Sequence, residues 1–185
     1  MPRSKRSVAT RRRPGAAGPC SAASPSSKQS ATTAPEGPET ARLAVPADLG
    51  RLSALFGEAL AALAAHRGGA ALLASLPEGL DRRERLAGLG ERVVLLAGCY
   101  EGVVVGAAAL ELLGGRAVLA PLYVEPGARE VGVGRCLLEV ASRFAAHAGA
   151  IALDVPALPG DRETKALLEQ SGGRARLVIM ERALR

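Results

Sequence analysis

The sequence is poor in aromatics. Phe, Trp and Tyr together make up 2 % of its 185 residues, and Trp is absent. With 48 % apolar residues a core is still available, but Ala, Leu, Val and Gly must build it. Cysteine is equally scarce: Cys20, Cys99 and Cys136 are odd in number and widely spaced, which fits a reduced interior better than a disulfide framework. No Cys-x-x-Cys pair occurs, and His66 and His147 are the only histidines, so no metal site is expected. Nor does any apolar run reach the roughly 20 residues of a membrane-spanning helix, and the N-terminus lacks the apolar stretch of a secretory signal.

The net charge of +6 does not belong to the whole chain. Residues 1–40 hold seven basic and two acidic side chains, and so account for +5 of it. That segment is rich in Pro, Ser, Ala and Thr, and its composition predicts a disordered tail. It also has the Arg-rich, Ser-rich, acid-poor character of an organelle transit peptide, but a tail on a cytoplasmic protein is the expectation. Arg11, Arg12 and Arg13 are the sole suggestion of nucleic acid, and a solvated charge run explains them.

A domain is expected from residue 41 to 185. Ala41–Val45 alternates as a short strand, and Pro46 and Asp48 open a helix with apolar positions from Leu49 to Leu63, ending near Ala65 before Arg67-Gly68-Gly69. A second helical stretch spans about Ala70 to Leu89. Strands follow at Val93–Ala97, Val103–Leu113 and Ala117–Val124, and glycine-bearing turns between them make an antiparallel meander. The pattern then changes to a loop (126–132), a helix (Gly134–His147), a strand (Ile151–Val155), a helix from an Asp161 N-cap to Gln170, and a last strand (Arg176–Arg182). The order is β-α-α-β-β-β-α-β-α-β, an α+β fold.

One segment carries chemistry. In Leu122-Tyr123-Val124-Glu125-Pro126-Gly127-Ala128-Arg129-Glu130-Val131-Gly132-Val133-Gly134-Arg135-Cys136-Leu137-Leu138 a strand ends, a loop turns, and glycines open a helix. A helix N-terminus offers unpaired N–H groups and about half a positive charge, and glycines let an anion approach them. Arg129 and Arg135 add charge nearby. Glycines at a helix start are ordinarily only turn residues, so context decides. A dinucleotide fingerprint would need a third glycine where Leu137 stands, and no Gly-Lys-Ser/Thr ending marks an NTPase loop.

The arrangement Leu122-x-Val124-x-Pro126, Arg129-x-x-Gly132-x-Gly134 and Gly134-x-x-Leu137-Leu138 resembles the GCN5-related N-acetyltransferase (GNAT) superfamily, whose element order matches residues 41–185. The resemblance implies a mixed, mostly antiparallel sheet of about six strands flanked by helices. It implies acetyl-CoA as co-substrate and an amine acceptor, a small molecule or peptide. Val124 would offer backbone groups to the pantetheine arm. Arg129, Glu130, Gly132, Val133, Gly134 and Arg135 would form the pyrophosphate turn. The family's motif strand splays from its neighbour, a place where Pro121 and its missing N–H fit. A homodimer is compatible with this reading.

The catalytic part of the pattern departs from the family. Leu168, in Leu168-Glu169-Gln170-Ser171-Gly172-Gly173, stands where a proton-donating tyrosine is usual. Ala117–Val124 contains no carboxylate. Glu111, Glu125 and Tyr123 are weak substitutes, each read more simply as a solvated charge or a half-buried strand residue. Cys136, near a helix N-terminus, is a candidate for a lowered thiol pKa. Two functions therefore stay open: an N-acetyltransferase working by direct attack, or an acyl-CoA-binding module without turnover.

Overall fold

A computed structural model describes residues 37–70, 93–178, 180 and 182. The expected tail up to residue 36 and most of the second helical stretch, including Arg82, Arg83 and Arg85, lie outside the described residues.

The elements are β1 (Glu39–Leu43), α1 (Leu49–Ala65), β2 (Val93–Tyr100), β3 (Val103–Leu113), β4 (Arg116–Val124), α2 (Val133–His147), β5 (Ala152–Asp154) and α3 (Arg162–Gln170). Single 3-10 turns, Pro46–Asp48 and Pro126–Ala128, precede α1 and α2. The five strands lie in the order β1-β2-β3-β4-β5. The first three pairings are antiparallel and the last, β4 with β5, is parallel. The meander arises from two-residue turns, Glu101-Gly102 and Gly114-Gly115, in which every φ is positive. Such turns match the right-handed twist of the strands they join.

Alternation along β2 and β3 supplies both faces of the sheet. Leu96, Ala108, Leu110, Ala117 and Leu119 pack under Val133, Leu137, Leu138, Ala141 and Ala145 of α2. Ala97, Ala107 and Ala109 face Leu52, Leu55 and Phe56 of α1. The start of α1 is fixed by Asp48, whose carboxylate accepts Arg42 Nη1 at 2.6 Å, Arg42 Nη2 at 3.0 Å and Val45 N–H at 2.8 Å. These bonds hold Asp48 down to a pKa of about 2.

The structure corrects one element. The expected strand Arg176–Arg182 is absent among its described residues, leaving five strands rather than about six. Leu177, Val178 and Met180 are 79 %, 74 % and 87 % exposed. Their apolar run satisfies β propensity, but no described strand pairs with it, and propensity alone does not make a strand. The first strand begins at Glu39, two residues before its expected start.

Candidate functional site

β4 parts from β5 early. Arg116, Ala117 and Val118 pair with Ala152, Leu153 and Asp154, and the ladder ends there. Arg116 secures this end, its Nε and Nη2 donating to Asp154 at 2.6–2.9 Å. Beyond it β4 bulges: Ala120 and Pro121, joined by a cis peptide, lie opposite the single residue Ala109. Pro121 thus sits where no ladder bond requires its N–H. β4 then runs on to Val124 with no described ladder partner on its β5 side, a gap in the sheet, and α3 approaches its end through Glu163 and Leu167.

The segment after β4 closes on the same gap. Glu125 N–H donates to Val105 O at 3.0 Å, and Pro126–Ala128 turns the chain. Glu130 and Gly132 have φ of 66° and 96°. Gly132 is the N-cap residue of α2, and its left-handed backbone is one that glycine adopts without strain. Among the described residues, no carbonyl or side chain accepts the N–H groups of Glu130 to Arg135. A Cβ on Gly134 would touch only Leu167 of α3 at 3.4 Å and Val124 at 3.8 Å. Two glycines, free first-turn amides and a helix N-terminus therefore sit at the mouth of the gap, a cradle suited to a phosphate anion.

The expected basic residues behave differently from each other. Arg129 is committed: Nε donates to Val124 O at 3.0 Å, Nη1 lies 2.9 Å from Glu163 Oε2, and the guanidinium stands 5.9 Å from the Tyr123 ring centroid. Arg135 is exposed and loosely paired with Glu139 at 3.6 Å, one turn along α2. Glu130 is exposed, and Val133 is buried against the sheet.

Of the weak proton-transfer candidates, Glu111 stands apart, whereas Tyr123 and Glu125 are both tied to α1. Glu111 is exposed on β3, opposite Val118. Glu125 pairs with Arg51 of α1, whose Nε also donates to Val104 O at 3.0 Å. Tyr123 OH donates to Glu58 Oε2 at 3.3 Å; burial, and then Glu58, push its phenol pKa up. The Cys136 thiol pKa is raised, not lowered. Burial pushes it up, aided by Glu139 and Glu39, and these outweigh Arg135 and Arg143. Its thiol faces Glu39 O at 3.8 Å, under the sheet edge.

Nothing in the sequence marks Arg51, Glu58 or Glu39, and Glu163 stands out only as part of the polar stretch Leu158–Lys165. Each becomes notable through a partner distant in the chain, and no local pattern announces such a pair. Glu39 lies beside Gly132, where a Cβ would approach its Cγ to 3.2 Å. Leu168, half-buried, packs with Leu167 against the α2 side of the core.

A model of the acetyltransferase (GNAT) family matches residues 60–170. The chain belongs to that family. No curated protein matches it in sequence. Among solved GNAT-like folds, a mutant Bacillus halodurans protein superposes with a TM-score of 0.65 at 17 % identity, over 78 % of this chain and 99 % of that one. An aminoglycoside acetyltransferase from an uncultured soil metagenomic sample gives 0.54 at 20 % identity, over 80 % and 99 %. An aminoglycoside N-acetyltransferase in complex with CoA gives 0.58 at 16 % identity, over 78 % and 94 %. At these identities the likeness is one of fold. The mixed, mostly antiparallel sheet flanked by helices is thus the GNAT arrangement.

Proposed function

We propose that this GNAT domain is an acetyl-CoA-dependent N-acetyltransferase acting on the amine of a small molecule or peptide, in the cytoplasm. The observation that carries the reading is the pairing of the parted β4 edge with the amide cradle at Gly132–Arg135. Extended backbone on one side and free N–H groups at the end suit a ligand with an amide-bearing arm and an anionic terminus. Pantetheine and pyrophosphate have that form. A CoA-bound aminoglycoside N-acetyltransferase of the same fold adds support.

In this reading Val124 meets the pantetheine arm, while the amides of Gly132, Val133, Gly134 and Arg135 hold the pyrophosphate. Arg129 shapes the loop and adds charge. Acetyl-CoA, when bound, supplies a thioester that a neutral amine attacks. The residues of this chain orient that ester and keep water from it. Leu168 cannot donate a proton, so the thiolate leaves without help from that position, its conjugate thiol being only weakly basic.

Calorimetric titration with CoA and acetyl-CoA tests the reading: saturable binding is expected below millimolar ligand, and none in Gly132→Glu, which puts bulk and negative charge in the cradle. Absence of binding by the wild type sinks it. The second reading, an acyl-CoA-binding module without turnover, is favoured by Leu168. It requires that no CoA be released with any of a broad amine panel.

A further inference from the structure

We infer that Glu163 competes with the cofactor's pyrophosphate for Arg129, so that the Arg129–Glu163 pair is a latch across the gap that an incoming anion must exchange. The inference rests on the CoA-binding reading above and concerns what limits affinity at that site.

Arg129 stands in the loop between β4 and α2, and Glu163 in the first turn of α3. Nη1 of Arg129 lies 3.1 Å from one Glu163 oxygen and 2.9 Å from the other, while Nε holds Val124 O. A single guanidinium therefore ties the end of β4 to the start of α3. Its charge is cancelled by Glu163, and a second carboxylate, Glu39, lies beside Gly132. The cradle thus has its amides ready while the charge of Arg129 is already matched by Glu163.

The exposure of the pair decides whether it holds or yields. The Glu163 side chain is 70 % exposed and that of Arg129 33 %. Exposed pairs are weak and screened by salt. The pyrophosphate, with one negative charge on each of its two phosphoryl groups, presents more total charge and more acceptor oxygens to a planar guanidinium than one carboxylate does. Exchange therefore favours the phosphate, at the cost of breaking the existing pair and leaving Glu163 near an anion. Removing the Glu163 charge abolishes both costs.

The test is isothermal titration of wild type, Glu163→Gln and Glu163→Ala with CoA and, separately, with pantetheine, which lacks the pyrophosphate. Both variants are expected to bind CoA about three- to tenfold more tightly at low ionic strength, with the gain shrinking as salt is added. Pantetheine gains nothing. In an Arg129→Gln background the CoA gain disappears. Unchanged or weaker CoA binding by both variants overturns the latch, as does an equal gain for pantetheine. If the wild type itself fails to bind CoA, the underlying reading fails instead, and the two failures are told apart in one experiment.

Discussion

Gly98 of β2 lies directly opposite Gly106 of β3, and the pair forms a shallow trough under the N-terminal end of α2. A Cβ on Gly98 would come within 2.7 Å of Val133 and 2.9 Å of Leu137, and one on Gly106 within 3.1 Å of both. The missing side chains let α2 settle close to the sheet, which fixes the height of its first-turn amides relative to the end of β4.

Gly98→Ala is therefore expected to overpack this contact at a cost of about 1–3 kcal/mol. Thermal denaturation reads the cost as a fall of about 2–4 °C for each kcal/mol. CoA affinity falls with it, because α2 carries the cradle. A variant with unaltered melting temperature would show that the trough has slack.

Gly132 and Gly134 differ in kind. Gly132 has φ of 96° and Glu39 at its back, so Gly132→Ala strains the backbone and costs about 1 kcal/mol or more, along with CoA binding. Gly134 is helical and would meet Leu167 only at 3.4 Å, so Gly134→Ala keeps both fold and binding. Melting curves with and without CoA check the contrast.

Asp48 makes stability depend on acid. Its folded pKa of about 2 lies below the unfolded value of 3.8, so its contribution is complete above the unfolded pKa and is lost as pH falls from about 4 towards 2. Asp48→Asn is expected to flatten that part of the stability–pH curve. At neutral pH it lowers stability by about 2 kcal/mol, through lost bonds to a charged group. Urea unfolding at a series of pH values measures both effects.

Tyr123 and Glu125 are held by Glu58 and Arg51 of α1, which marks them as wall residues. Tyr123→Phe and Glu125→Gln are expected to reduce turnover by less than about tenfold, below the usual contribution of a general acid or base. They should leave the pH–rate profile in place. Loss of one limb of that profile in either variant would assign it the proton transfer.

Most of the fold could be read from the chain because its signals are local. The alternation in β3, the apolar recurrence from Leu49 to Leu63, Asp161 ahead of α3 and the paired turn residues at 101–102 and 114–115 each act within a few residues. The strand, loop and helix around the proposed cradle were legible for the same reason, being contiguous. Electrostatics was not. Arg129 looks like a free cation until Glu163, distant in sequence, is folded beside it, and the Cys136 thiol looks activated until burial is counted. Arg176–Arg182 shows the converse error, since a strand needs a partner that its own sequence does not provide.

The short β4–β5 ladder makes the two walls of the gap unequal in stiffness. β4 and α2 belong to the buried core, whereas β5 joins β4 through three residue pairs and α3 has no buried residue. The outer wall thus opens at less cost than β4 and α2, by local unfolding below the global stability. A ligand spanning both walls must order the soft one against the rigid one. Part of its binding free energy then goes into the entropy lost in that ordering, and the heat-capacity change on binding exceeds what its own buried surface would produce.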